Sequence, residues 1–212
     1  MSKETSDRDE GVLMVVSAPS GTGKTSICRQ LLGMFPELRF SVSFTTRPPR
    51  PGEVEGRDYR FVSKERFRCG IAEGEFAEWA ENYGHYYGTS KHTMDEFRKQ
   101  GFDLLADVEP RGARALKAQY GEGSYVFILP PSMEELEQRL RGRGCESEEV
   151  IARRLEKALD EIREILWYDY AIFNDRIDGA VDRLRSIYLA EKSKLGRQAW
   201  RVRPFIRENE PE

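Results

Sequence analysis

The segment Ser17–Ser26 reads SAPSGTGKTS, and no other feature constrains the fold of this chain as strongly. It joins an apolar run, VLMVVS (Val12–Ser17), to a segment of helical spacing, KTSICRQLLGMF. A buried strand, a glycine-rich turn ending in Gly-Lys-Thr and a helix form the context of a phosphate-binding loop. Backbone N–H groups of such a loop converge on an anion, and the helix N-terminus adds positive potential. Gly23, Lys24 and Thr25 fit the pattern, whereas Ala18 stands where it asks for glycine. The most constrained amides lie later, from Ser20 to Thr25, so a methyl group at 18 is expected to be tolerated. Ala18, Pro19, Ser20, Gly21, Thr22, Gly23, Lys24, Thr25 and Ser26 are therefore expected to bind ATP. Lys24 is expected to reach the terminal phosphates, and Thr25 to ligate Mg²⁺.

The rest of the chain alternates between strand-like and helix-like segments. FSVSF (Phe40–Phe44) alternates as one strand, and TTRPPRPGEVEGRDYRF is a Pro/Gly-rich loop returning to a strand near Tyr59. Residues 63–74 open as a capped helix, and 75–90 read as short strands around a glycine turn. Further strands are expected at FDLLADVE, SYVFILP and DYAIFN, with helices between them. One long helix is expected from SEEVIARRLEKALDEIREILWY, and a final one from DGAVDRLRSIYLAEKSK. This pattern predicts an α/β fold, a parallel sheet flanked by helices. A small mixed α+β lobe at about 40–90 interrupts it. The core is expected from 11–39, 91–130 and 168–196, with 1–10 as a disordered tail and 197–212 as a tail without assigned structure.

At 212 residues, one core with one inserted lobe is expected. The net charge of −3 gives no bulk attraction to nucleic acid or anionic membrane, so anion binding must come from local Arg and Lys. Cys28, Cys69 and Cys145 lack metal-ligand spacing, and their odd number argues against a disulfide framework. With a polar N-terminus and no membrane-length apolar stretch, these features point to a soluble cytoplasmic protein. Oligomeric state is left open.

The acceptor is named by residues downstream of the loop. Arg47 and Arg50 lie three apart in a Pro-flanked segment, with Tyr59 following, a set suited to a phosphate monoester. In GEFAEWAENYGHYYGTS, Glu78 supplies a carboxylate able to accept from guanine N1–H and N2–H₂, beside Tyr87 and Thr89. Tyr83 and Tyr86 are expected to pack, and His85 and His92 to be exposed. Asp107 ends a core strand, where open α/β sheets place ligands. It is expected to hold Mg²⁺-bound water or to orient the acceptor phosphate, with an ordinary strand-end aspartate as the alternative. Asn174, ending the last strand, is expected near the adenine or the lid.

SAPSGTGK, SVSFTTRPPRPGEVEGRDYRFV, GEFAEWAENYGHYYGTS, PPSMEELEQRLRGRG and IFND occur in the order found in guanylate kinases. The chain closely resembles that family over about 12–191. The resemblance implies ATP-dependent phosphorylation of GMP, with Arg47, Arg50, Tyr59 and Tyr87 on the GMP phosphate. It implies that Ser43, Glu78, Thr89 and the segment Asp107–Glu109 engage guanine. It also implies a helical lid at 131–167 whose arginines, Arg139, Arg143 and Arg154, neutralise the transferring phosphoryl group; Arg141 is expected to be a surface residue. DVEPRGAR departs from the family, which commonly has Gln where Arg111 stands. Two rival readings share the loop: a kinase for another small acceptor, and a guanylate-kinase-like binding module without catalysis. Glu78 with Thr89 argues against the first, and Lys24 and Thr25 against the second.

Overall fold

A computed structural model describes residues 11–82, 84–142 and 147–207. The chain begins with β1 (Leu13–Ser17), α1 (Lys24–Met34) and β2 (Leu38–Phe40). There follow β3 (Phe44–Thr45), β4 (Arg60–Phe61), α2 (Lys64–Ala72), β5 (Phe76–Asn82) and β6 (His85–Ser90). Next come α3 (Lys91–Lys99), β7 (Asp103–Asp107), α4 (Pro110–Tyr120) and β8 (Ser124–Leu129). The chain continues with α5 (Met133–Arg141), α6 (Glu148–Arg163), β9 (Tyr170–Phe173), α7 (Ile177–Lys192) and α8 (Leu195–Arg207).

Five parallel strands form the main sheet in the order β2-β7-β1-β8-β9. Side chains alternate across β1. Met14 and Val16 join Ile27 and Leu31 of α1 and Leu184 and Tyr188 of α7 in one buried cluster. Leu13 and Val15 join Met94 of α3 and Ala113 and Leu116 of α4 in a cluster on the other face. With both faces covered, β1 and β8 are buried along their whole length, as their apolar sequences require. The smaller sheet is mixed, in the order β4-β3-β6-β5, with β3 and β4 parallel and the other pairs antiparallel. Phe67 of α2 stacks on Phe76 and Tyr86, which gives that sheet its own aromatic support.

Three elements differ from the sequence expectation. Phe40–Phe44 is not one strand, because its ends bond to different sheets. Ser41 N donates to Leu105 O at 2.9 Å in the main sheet, and Arg60 N donates to Ser43 O at 2.9 Å in the small one. The long helix ends at Arg163 and tightens into a 3₁₀ turn over Glu164–Trp167, where Arg114 holds the Glu164 carboxylate at 2.5 Å. Leu195–Arg207 is helical, where the sequence pattern predicts no regular element. The tail expected at 1–10 lies outside the described residues. Among the described residues, no helix is long and apolar enough to cross a membrane.

Opposite the glycine loop, Asp103 ties down the start of the sheet. Its carboxylate accepts from Val12 N at 2.7 Å and Tyr188 Oη at 2.6 Å, and pairs with Lys192 at 2.8 Å. Removing this buried acceptor strands two donors and leaves Lys192 to Glu37, at 3.3 Å. Asp103→Ala should lower the unfolding free energy by about 3 kcal/mol in urea titrations, and Tyr188→Phe by about 1 kcal/mol.

Candidate active site

The site forms where β1 and β7 end side by side. Val16 pairs with Asp107, so the glycine loop leaving β1 faces the carboxylate that closes β7. Gly21 and Gly23 both have φ of +97°, a left-handed conformation that a side chain disfavours. Side chains at these positions would also collide, with Leu140 at Gly21 and with Asn174 at Gly23. Ala18 lies within the buried apolar cluster, so the structure accommodates its methyl group. The loop is buttressed from the far strand: the Asn174 amide donates to Thr22 O at 2.6 Å, and Asn174 is itself buried. Asn174 thus supports the loop from within, and the Thr22 side chain is buried too.

Lys24 opens α1 and reaches Asp107 at 2.5 Å and Val108 O at 3.1 Å. Burial alone would lower its pKa; the Asp107 carboxylate outweighs this and holds it above the ordinary lysine value. Thr25 follows on the exposed side of the helix start. Beneath them, burial first and then Asp107 push the Cys28 thiol up, so it remains protonated at neutral pH.

A cavity of about 310 Å³ runs from the glycine loop to the small sheet. Ala18–Gly21 and Gly23–Ser26 line one end. Ser43, Arg50, Tyr59, Glu78, Tyr87, Asp107 and Glu109 line the rest, together with Ala80, Asn82, Lys157 and Glu161. The period of two along β5 aims Glu78, Ala80 and Asn82 to this one side. Glu78 is buried and accepts from Thr89 Oγ1 at 2.5 Å. Burial raises its pKa to about 7, the Thr89 hydroxyl partly opposes this, and the Glu109 carboxylate adds to the rise. Tyr59 is raised to about 12, chiefly by burial and then by Asp107.

Other expected residues lie differently. Arg47 turns one guanidinium nitrogen, Nη2, onto both Glu53 oxygens at 2.8 and 2.9 Å, donates through Nη1 to Pro48 O at 2.6 Å, and lies 5.4 Å from the Tyr59 ring centre. Glu53 also accepts from Arg50 N at 2.7 Å. Arg139 is anchored to Glu135 at 3.0 Å and to Asn174 O at 3.2 Å, behind the loop. Arg154 is half-buried on α6, and Arg143 and Tyr83 lie outside the described residues. Arg141 is exposed and paired with Glu137 and Glu148. His92 is exposed, but His85 is half-buried on β6 instead of exposed.

The guanylate kinase family model matches residues 10–191. The chain belongs to the guanylate kinase family. It is 53% identical over 188 residues to a guanylate kinase of Geobacter metallireducens, covering 89% of this chain and 93% of that one. It is 55% identical over 196 residues to one from Syntrophus aciditrophicus, covering 92% and 94%. The crystal structure of guanylate kinase from Anaplasma phagocytophilum superposes with a TM-score of 0.75 at 34% identity, covering 90% of each chain.

In this guanylate kinase family member, sequence reasoning passed over Glu53, Asn82, Gly112, Lys157 and Glu161. Two signals were available: the period of two that places Asn82 with Glu78, and the four-residue spacing of Lys157 and Glu161 on α6. Gly112 left none, since its role is clearance. A Cβ built there would collide with the Glu78 carboxylate.

Glu78 carries a cost that pH reveals. Its pKa is about 7 when folded, against 4.5 as a free side chain. The folded state therefore holds the extra proton, and stability falls as pH rises from 4.5 to 7. Glu78→Gln has no charge to bury. Urea unfolding at pH 8 should find it more stable than the parent by up to about 3 kcal/mol, with the gain gone near pH 4.5.

Proposed function

We propose that the protein transfers the γ-phosphoryl group of ATP to the phosphate of GMP, giving ADP and GDP. The observation that carries this reading is one cavity with an anion cradle at one end and the buried Glu78–Thr89 pair at the other. The relatives named guanylate kinase support it. An ionised Glu78 accepts from guanine N1–H and N2–H₂; adenine has an acceptor at N1 and is repelled. Thr89 holds one carboxylate oxygen and Gly112 leaves room for the other. Ser43 and Glu109 complete the guanine site.

The acceptor phosphate lies between Arg50, Tyr59 and Tyr87, which share the cavity wall. Arg47 joins them by exchanging the Glu53 carboxylate for phosphate, since both offer anionic oxygens to a guanidinium. Lys24 leaves Asp107 and the Val108 carbonyl for the terminal phosphates of ATP. The loop amides of 18–26 take the remaining phosphate oxygens, and Asn174 keeps the loop in shape from behind. An oxygen of the acceptor phosphate attacks the γ-phosphorus in line. The bond to the β–γ bridging oxygen breaks, and its electron pair leaves with ADP. Arg139, on leaving Glu135 and the Asn174 carbonyl, joins Arg143 and Arg154 in acting on the charge spread over the transferring group. The protein thus contributes position and charge, with no covalent intermediate.

Mg²⁺ fits the donor set beside the loop. The Thr25 hydroxyl and the Asp107 carboxylate, both hard oxygen donors, line one cavity wall. An ion of this kind is held mainly by nucleotide phosphates and keeps several waters, so one or two protein oxygens suffice. Bound with ATP, Mg²⁺ supplies charge neutralisation; Thr25 would hold it directly and Asp107 through water. The reading puts the protein in the cytoplasm, acting on small molecules without nucleic acid or membrane.

A coupled assay with GMP, AMP, dTMP and sugar phosphates tests the acceptor. GMP should turn over best by orders of magnitude; faster turnover of any other acceptor in the panel refutes the assignment. Gly112→Ala should fold normally, because the carboxylate it meets can swing away. It should raise KM for GMP by about tenfold and leave KM for ATP within about twofold.

A further inference from the structure

The phosphoryl-transfer reading leaves one cation in the cavity without a role. Lys157 projects from α6 and is only 34% exposed. Its ammonium donates to Asn82 Oδ1 at 2.6 Å and lies 3.3 and 3.4 Å from the two Glu109 oxygens. It is also 3.4 Å from Glu161, one turn further along its own helix. The Asn82 amide in turn donates to Glu109 Oε1. These partners belong to different parts of the molecule: Asn82 ends β5 in the small sheet, and Glu109 precedes α4 in the main body. Glu109 stands at the helix N-cap position, yet its side chain makes no capping bond. Its carboxylate turns to this network instead, and its two oxygens keep acceptor capacity for guanine.

We propose that Lys157 is a positioning residue, a strut that fixes α6 against the small sheet and the main body across the site. An exposed ion pair contributes little, but a partly buried cation with partners on two other elements is stronger than its pairwise contacts. Arg154 lies three residues earlier on α6, hence on the same side of the helix. The strut therefore sets where Arg154 stands relative to the acceptor site. Four carboxylates, Glu109, Glu161, Glu78 and Asp107, share the cavity with three cations, Lys157, Lys24 and Arg50. The catalytic consequence rests on the kinase reading; the strut itself does not.

Two measurements separate these. Spin labels on the exposed Cys69 of α2 and on Glu156→Cys of α6, in a Cys145→Ser background, report the separation without substrate. The parent should give one narrow distance distribution. Lys157→Ala and Asn82→Ala should each broaden it, and Lys157→Arg should keep it narrow; an unchanged distribution in both alanine variants overturns the proposal. In turnover, each alanine variant should lower kcat about tenfold, with KM for ATP within about twofold. The double variant should fall no further than the worse single, whereas additive losses refute a shared strut. Asn82→Ala, at a hairpin end, keeps the test open should Lys157→Ala fail to fold. A parent without GMP turnover refutes the kinase reading, and the distance measurement then decides the strut alone.

Discussion

The parallel pairing of β1 with β7 is the constraint on which the site depends. It sets Val16 opposite Asp107, and so brings the turn after one strand against the carboxylate ending the other. The Lys24–Asp107 pair spans that junction at 2.5 Å. A shift of one residue in this register would turn the β7 side chains to the opposite face and separate lysine from carboxylate. The apolar alternation along β1, divided between two buried clusters, makes such a slip costly. Core packing and site geometry are thus the same specification.

The site gathers more charge than a protein interior usually holds. Glu78, Asp107, Glu109 and Glu161 surround one cavity, with Lys24, Lys157 and Arg50 among them. Ionising Glu78 there works against burial, which is why its pKa rises. The arrangement is suited to a ligand carrying both N–H donors and anionic oxygens, which can satisfy acceptors and cations together. Glu53 illustrates this in miniature: its carboxylate engages Arg47 and the Arg50 amide as a phosphate would.

Much of this was legible in the sequence where local rules apply. The strand, glycine loop and helix from Leu13 to Met34 follow from apolar alternation and turn chemistry. Ser63 as a helix cap is local too, and it accepts from Arg66 N at 3.1 Å. What escaped depends on partners distant in sequence. Phe40–Phe44 alternates like a strand, and only the competition between two sheets divides it. The inward alignment of Glu78 and Asn82 is periodic, but Lys157 reaches Asn82 from 75 positions away. Gly112 matters because of an empty volume, which no residue pattern encodes.

The bond from Asn174 to the Thr22 carbonyl spans 152 positions. The glycine loop is thus finished by a residue far along the chain. On the ribosome, β1 and the glycine loop emerge early, but their support arrives only once β9 has formed beside β8. A nascent fragment ending before Asn174 therefore carries the loop sequence without its prop.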